Sequence, residues 1–182
     1  MRARWTWVWL LVAGTAMGQT KDPWRFTLKA GPSFGQPWIG SEETRRGGYY
    51  AVSALRPEKR LTFRGWRADL GLEAYYMFTK GGTVWGTPGR RMHSYGVLAF
   101  GRYRWGGGDG WRPYLDLGWG LVYNSVKTKD LDSRLGSTPF VGVGAESGHF
   151  DLQARFFHIS NGGLAGENQG SNAIQVLVGY RF

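Results

Sequence analysis

The stretch WRADLGLEAYY, residues 66–76, alternates apolar and polar side chains with a period of two. The apolar set is Trp66, Ala68, Leu70, Leu72, Ala74 and Tyr76, and the other set is Arg67, Asp69, Gly71, Glu73 and Tyr75. Because successive side chains of an extended chain point to opposite faces, this pattern predicts a β-strand with one apolar face and one largely polar face.

The same kind of pattern recurs along the chain, in segments bounded by turn-forming residues. The predicted strands cover residues 24–34, 48–55, 61–78, 92–105, 111–125, 137–146, 150–160 and 172–182. Each segment is close to the length of about 9–11 residues that a tilted transmembrane β-strand needs. We therefore predict an all-β protein with eight antiparallel strands.

The alternation alone fits both a soluble β-sandwich and a transmembrane barrel, because an apolar face can point to a core or to lipid. The connections favour the barrel. Short ones are predicted at 56–60, 106–110 and 147–149, and long ones at 35–47, 79–91, 126–136 and 161–171. Outer-membrane barrels combine short periplasmic turns with longer outer loops. The aromatic last residue, Phe182, also resembles the assembly signal of outer-membrane barrels. The sequence thus predicts an eight-stranded antiparallel transmembrane β-barrel.

The period of two also assigns each side chain to the lipid or to the lumen. The predicted lipid-facing set includes Trp66, Leu70, Leu117, Trp119, Phe156 and Val176. The predicted luminal set is Asp69, Glu73, Asp116, Asp151, Gln153 and Arg155. An eight-stranded barrel has room inside for side chains only, so we expect these polar groups to pair with one another and do not expect a pore.

The composition agrees with a membrane barrel and disfavours other classes. The chain of 182 residues has 30 glycines, 16% aromatic residues and no cysteine. Its mean hydropathy of −0.37 argues against a helical membrane protein. The net charge of +10 could suggest nucleic acid, but export makes nucleic acid an unexpected partner, and an anionic lipid surface fits better.

Export is predicted from the N-terminus. Arg2 and Arg4 form a basic start, residues 5–13 are apolar, and Ala16-Met17-Gly18 is a small-x-small cleavage site. We expect residues 1–18 to be a signal peptide and residues 19–182 to be the outer-membrane barrel. A retained anchor helix is the alternative, which the short apolar run disfavours.

The residues with the chemistry of a catalytic site lie at the end of the seventh predicted strand. His158 and Ser160 continue the face of Phe156 and therefore point outward. A hydroxyl bonded to an imidazole is the minimal activated nucleophile. Residues two apart on a strand are separated by about 6.6 Å, which a histidine ring can bridge. The alternative is that both residues simply mark the membrane interface.

A catalytic histidine needs a third group to orient its ring. Asn172 begins the last predicted strand with outward parity, at the same end of the barrel as His158. Glu167, in the preceding loop, is an alternative acid. Asn161 and the backbone of Gly162 and Gly163 could donate hydrogen bonds to an oxyanion.

The segment HISNGGL, residues 158–164, followed by ENQGSN, residues 167–172, resembles the lipid A 3-O-deacylase (PagL) family. The resemblance implies an eight-stranded outer-membrane barrel that hydrolyses the 3-linked ester of lipid A on its outer surface. It implies that His158 is the base, Ser160 the nucleophile and Asn161 an oxyanion contributor. Lipopolysaccharide in the outer leaflet would be the partner, and a homodimer is left open.

This sequence departs from the family at two positions. Asn172 stands where the family pattern has Glu, and Gln169 stands where Pro or Asp is common. Replacing the acid of a triad by an amide has cost about 10⁴ in rate elsewhere. The alternatives are therefore a catalytically inactive barrel with a structural or surface-interaction role, and a phospholipase with the same chemistry.

The remaining polar residues give weaker signals. The predicted loops carry basic residues that could meet lipid A phosphates or form a solvated surface: Arg45, Arg46, Lys80, Arg90, Arg91, Lys127, Lys129 and Arg134. No cluster has the spacing of metal ligands, and no phosphate-binding glycine loop is present. We therefore expect neither a metal nor a cofactor.

Overall fold

The computed structural model describes residues 24–58, 60, 66–83, 89–106, 110–128, 130–163, 165–166 and 168–182. Its strands are β1 (Arg25–Gln36), β2 (Glu43–Pro57), β3 (Arg67–Thr83), β4 (Met92–Arg104), β5 (Arg112–Asn124), β6 (Leu135–Ser137), β7 (Phe140–Ser147), β8 (Phe150–Ile159) and β9 (Ser171–Arg181). No helix in these ranges is long and apolar enough to span a membrane. The predicted signal peptide, residues 1–18, lies outside the described residues.

The strands form one closed antiparallel sheet. Their order is β4-β3-β2-β1-β9-β8-β7-β5-β6, and pairing of β4 with β5 closes the ring. β6 and β7 occupy one position in the wall, since Tyr123 pairs with Leu135 and Gly118 with Phe140 in a continuous register. Pro139 separates the two strands because it has no N–H for the ladder. The predicted eight-stranded barrel is therefore confirmed, with one wall strand divided in two.

Two strands extend further than the sequence pattern predicted. β2 begins at Glu43 and pairs with β3 up to Thr83, whereas the predictions were 48–55 and 61–78. The connection between β1 and β2 is consequently only 37–42, and that between β2 and β3 is 58–66. The predicted contrast between long and short connections is thus weaker than expected. Polar residues such as Thr44 and Arg46 take over the outward face here, so the alternation that marks a strand disappears.

The predicted faces are confirmed. Trp119 is 55% exposed and Val176 48%, whereas Asp116 and Arg155 on neighbouring positions are 0% and 1% exposed. Apolar side chains thus cover the outside, while the inside holds the paired charged side chains together with an apolar cluster, so the placement of charge is the inverse of that in a soluble sandwich. This inversion is what a lipid-facing barrel requires.

The luminal polar residues form a connected network of ion pairs. Arg155 Nη1 donates to Glu73 Oε1 at 2.8 Å, and Lys29 Nζ lies 3.2 Å from Glu73 Oε2. Nearer the turn at 148–149, Arg102 bonds to Asp116 at 2.9 Å and to Asp151 at 2.6 Å. These pairings satisfy charges that would otherwise be costly to bury.

Candidate active site

The end of β8 presents His158 to the outside because its neighbours are anchored inside. Phe157 and Ile159 are 1% and 2% exposed and belong to the apolar cluster in the barrel interior. Alternation then directs His158 outward, as predicted, and Ser160 just beyond the strand continues the same face. Both side chains are partly exposed.

His158 is paired with Asn172 across the ladder between β8 and β9. The two residues are direct partners in the register. His158 Nδ1 lies 2.6 Å from Asn172 Oδ1, and Asn172 is fully buried. The structure therefore brings together two of the three predicted catalytic residues by cross-strand pairing.

A main-chain carbonyl determines which way the Asn172 amide points. Asn172 Nδ2 donates to the carbonyl oxygen of Trp38, in the connection between β1 and β2. A carbonyl can only accept a hydrogen bond, so the NH₂ group must face Trp38 and Oδ1 must face His158. His158 Nδ1 is then the donor, which leaves Nε2 of the neutral ring as the free base.

Ser160 bonds to a different partner from the one predicted. Its Oγ lies 3.1 Å from Ser137 Oγ, and the backbones of the two residues form a β-bridge. Among the described hydrogen bonds, none joins Ser160 to His158. A change of the Ser160 χ1 rotamer would redirect the hydroxyl. Ser137 was not singled out from the sequence because its contact depends on the register between β6 and the end of β8.

Gly170 packs against the edge of the His158 ring. A Cβ atom at this position would lie 2.5 Å from His158 Cε1 and 3.2 Å from Nε2. Gly170 has a φ of 78°, and its N–H donates to the carbonyl of Asp130 at 3.2 Å. Glycine is therefore needed here both for the backbone conformation and for the space beside the ring.

Asp130 holds the loop that carries Gly170 against another loop. Its Oδ2 accepts hydrogen bonds from Ser41 Oγ at 2.7 Å and from the N–H of Glu42 at 2.8 Å and of Glu43 at 3.0 Å. Through its fully buried carboxylate and its main-chain carbonyl, Asp130 thus joins three connections. The sequence signal for this role, an isolated Asp in a loop, is too common to have identified it.

Two of the predicted oxyanion donors, Asn161 and Gly163, are engaged in hydrogen bonds within the loop. The N–H of Asn161 donates to Asn168 Oδ1 at 2.8 Å, and the N–H of Gly163 donates to Asn161 Oδ1 at 2.8 Å. These bonds would have to open before either group could bind a substrate oxyanion. Glu167, the alternative acid, lies outside the described residues.

The basic residues at this end are divided between the two faces of the barrel. Arg45, for which both phosphate contact and a place on a solvated surface were left open, points inward, is 3% exposed and lies 3.7 Å from Glu43. Both interpretations are wrong for Arg45, since β2 extends past it and its parity is luminal. Arg46 and Lys80 lie on the outward face. Lys129 is not among the described residues.

No group of three or more His, Cys, Asp or Glu side chains in the described part of the chain is placed to bind a metal ion.

An aromatic pair flanks the site on the lipid side. The ring of Trp38 stacks on Phe156 at 6.5 Å between centroids. The polar site is therefore bordered by an apolar surface that continues into the barrel wall.

Comparison with known proteins gives one family. The family model described as lipid A 3-O-deacylase (PagL) matches residues 23–181. A crystal structure of the outer-membrane enzyme PagL is similar, with a TM-score of 0.61 and 19% identity, over 86% of this chain and 98% of that one. Neisserial surface protein A is similar with a TM-score of 0.56 and 17% identity, over 87% and 95% of the two chains. No curated protein sequence matches the chain.

Proposed function

Because the chain belongs to the lipid A 3-O-deacylase family, we propose that it is an outer-membrane esterase that removes the 3-linked acyl chain from lipid A. Family and fold make it a bacterial outer-membrane protein. The observation that carries the proposal is the hydrogen bond between His158 and Asn172 on the outer face of the barrel, 2.6 Å long, which leaves His158 Nε2 available as a base.

The proposed reaction starts with rotation of the Ser160 hydroxyl from Ser137 toward His158. Ser160 Oγ then attacks the ester carbonyl carbon while His158 Nε2 takes the hydroxyl proton. The carbonyl π electrons move onto oxygen and form a tetrahedral oxyanion. When this intermediate collapses, the bond to the sugar oxygen breaks and His158 returns the proton to that oxygen.

The second half of the reaction regenerates the enzyme. His158 Nε2 takes a proton from water, and the resulting hydroxide attacks the carbonyl carbon of the acylated Ser160. The bond to Ser160 Oγ breaks, Oγ recovers a proton from His158, and the fatty acid leaves. No cofactor is needed in either step.

Asn172 would act by orientation in this scheme. Its amide holds the His158 ring and its tautomer, but an uncharged amide stabilises the imidazolium less than a carboxylate does. Asn161 and Gly163 would supply the oxyanion donors after their loop hydrogen bonds open. A donor of this kind is typically worth about 10²–10³ in rate.

The alternative proposal is a catalytically inactive barrel with a structural or surface-interaction role. The hydrogen bond between Ser160 and Ser137, 3.1 Å long, favours it, because the nucleophile is not aligned with His158. The amide at Asn172 favours it as well.

Release of 3-hydroxy fatty acid from purified lipopolysaccharide in detergent tests the proposal. We expect wild-type protein to release it, Ser160→Ala to release none, and Ser133→Ala, a hydroxyl deletion in the preceding loop, to behave as wild type. Phospholipid is offered in parallel, and preferential phospholipid cleavage would identify a phospholipase. If folded wild-type protein cleaves neither lipid, the alternative proposal of a catalytically inactive barrel is supported.

A further inference from the structure

Two cations face each other on the outer surface, beside the proposed active site. Arg46 on β2 and Lys80 on β3 are direct partners in the antiparallel register. Both are exposed, and both have the outward parity of Tyr50 and Phe78. Side chains paired in this way have Cβ atoms about 4.5–5.5 Å apart, and like charges at that separation repel each other.

A third cation continues the row. Thr79 pairs with Met92, the first residue of β4, so Arg91 lies beside Lys80 on the extension of the same ladder. Arg91 is exposed and has the outward parity of His93 and Tyr95. We call Arg46, Lys80 and Arg91 the basic row.

The basic row lacks anionic partners within the described ranges, where neither an ion pair nor a side-chain hydrogen bond is found for its three residues. The luminal cations differ in this respect. Lys29, Arg45, Arg102, Arg104 and Arg155 each have a carboxylate within 3.7 Å. Arg45 and Arg46 are sequence neighbours, yet only the inward one is paired. The unpaired charge is therefore specific to the outer face.

The height of the basic row matches that of lipid headgroups. Below it on β2, the outward residues are Gly48, Tyr50, Val52 and Ala54, a band that suits hydrocarbon. Directly below the cations, the rings of Tyr50 and Phe78 stack at 6.4 Å, and those of Tyr50 and Tyr76 at 6.3 Å. Aromatic girdles of this kind mark the boundary between hydrocarbon and headgroups.

The basic row is also close to the proposed catalytic residues. Arg46 pairs with Phe34 of β1, and Phe34 pairs with Ile174, two residues after Asn172 on β9. Arg46 thus lies two strand spacings, about 10 Å, to the side of Asn172 and one strand repeat, about 7 Å, below it. A single glycolipid headgroup can extend over a distance of this size.

We propose that Arg46, Lys80 and Arg91 bind phosphate groups on the headgroup of a lipid in the leaflet at this end of the barrel. The connections at this end are 37–42, 84–91, 125–134 and 160–170, and those at the other end are 58–66, 105–111 and 148–149. The two longest lie at this end and the shortest at the other, so this is the extracellular side. Guanidinium and ammonium groups bind phosphate through charge-assisted hydrogen bonds, which would offset their mutual repulsion. The proposal rests on the position of the barrel in the outer membrane and does not require ester hydrolysis.

Binding measurements on the full chain carrying Ser160→Ala, which cannot consume the lipid by the proposed route, test this site apart from the activity. The probes are lipid A with both phosphates, lipid A from which both have been removed, and inorganic phosphate. We expect Arg46→Gln/Lys80→Gln to weaken binding of phosphorylated lipid A about tenfold and to leave binding of the dephosphorylated lipid unchanged. The matched control, Lys127→Gln/Arg134→Gln, removes two charges at the same end and should bind as the parent does.

Equal binding of phosphorylated lipid A by the double variant and its parent would overturn the proposal. So would an equal loss in the control pair, since the effect would then be one of general charge. Inorganic phosphate that binds as tightly as the lipid would overturn the lipid assignment. If the double variant does not fold, the salt dependence of binding by the parent protein tests the proposal instead. Added salt should weaken the parent's binding of phosphorylated lipid A and leave its binding of the dephosphorylated lipid unchanged.

Discussion

The carboxamide oxygen of Asn172 lies 2.6 Å from Nδ1 of His158, and the two residues are direct partners across β8 and β9. The other end of the same amide donates to the carbonyl of Trp38. An amide can satisfy both neighbours at once because it carries one acceptor and one donor group. An ionised carboxylate offers only acceptors, so the environment of residue 172 suits the amide found here.

Asn172→Asp should therefore lower deacylation at neutral pH, by about tenfold, because an ionised carboxylate lacks the donor to the Trp38 carbonyl and places two acceptor oxygens against each other. The Trp38 carbonyl then keeps the hydrogen bond from the N–H of Ser41, at 3.2 Å. A protonated acid regains that donor, so the deficit relative to wild type should shrink as the pH falls. The ratio of variant to wild-type rates across pH measures this. A variant more active than wild type at neutral pH would show that the Trp38 contact is dispensable.

Gly170→Ala should reduce activity by about ten- to a hundredfold, because a methyl group would displace the His158 ring and a φ of 78° strains alanine. The matched control is Gly106→Ala, which has a φ of 81° and nothing within 4 Å of the added carbon. Rates and thermal unfolding are compared for both. If both lose activity equally, the ring contact is not the cause.

Ser137→Ala should raise the deacylation rate about two- to tenfold, because Ser160 no longer has to break a hydrogen bond before it turns to His158. Steady-state kinetics with lipopolysaccharide measures the change. A large loss of activity would instead assign Ser137 a direct part in the reaction.

Ser160→Ala and His158→Ala should each abolish most of the activity, and the double variant should be no worse than either single one. Residues that act as a unit in catalysis give non-additive effects of this kind. The test is to measure the deacylation rates of the two single variants and the double variant, each divided by the amount of folded protein. Heat-dependent gel migration gives that amount. Additive losses would indicate that the two side chains contribute independently.

Glu73→Gln should destabilise the barrel by about 3–5 kcal/mol, because it leaves buried positive charge at Arg155 and Lys29 without its carboxylate. The matched control is Asp132→Asn, which breaks the exposed pair with Lys127 and should cost about 0–1 kcal/mol. Urea unfolding in detergent compares the two. Equal effects would contradict the importance of the luminal network.

Period-two alternation predicted much of the architecture. Trp119 and Asp116 could be assigned to opposite faces from local sequence alone, and the same rule placed His158 outward. The strand ends could not be predicted in the same way. Glu43 and Arg45 extend β2 through contacts in the lumen, and this part of the strand has no apolar side chains at every second position. Pro139 is visible in the sequence, but its interruption of a wall strand becomes evident only once the pairing with the neighbouring strands is known.

The sequence by itself determined which residues face outward, because the geometry of an extended chain is local and repeats at every second residue. The tertiary structure alone decided what those residues contact. The strand register placed Asn172 beside His158 and Ser137 beside Ser160. The packing of the connections 37–42, 125–134 and 160–170 against one another placed the Trp38 carbonyl and Gly170 around them. These contacts join distant parts of the chain, so no local pattern encodes them. The tautomer of His158 depends on them, because only a carbonyl at Trp38 fixes the direction of the Asn172 amide.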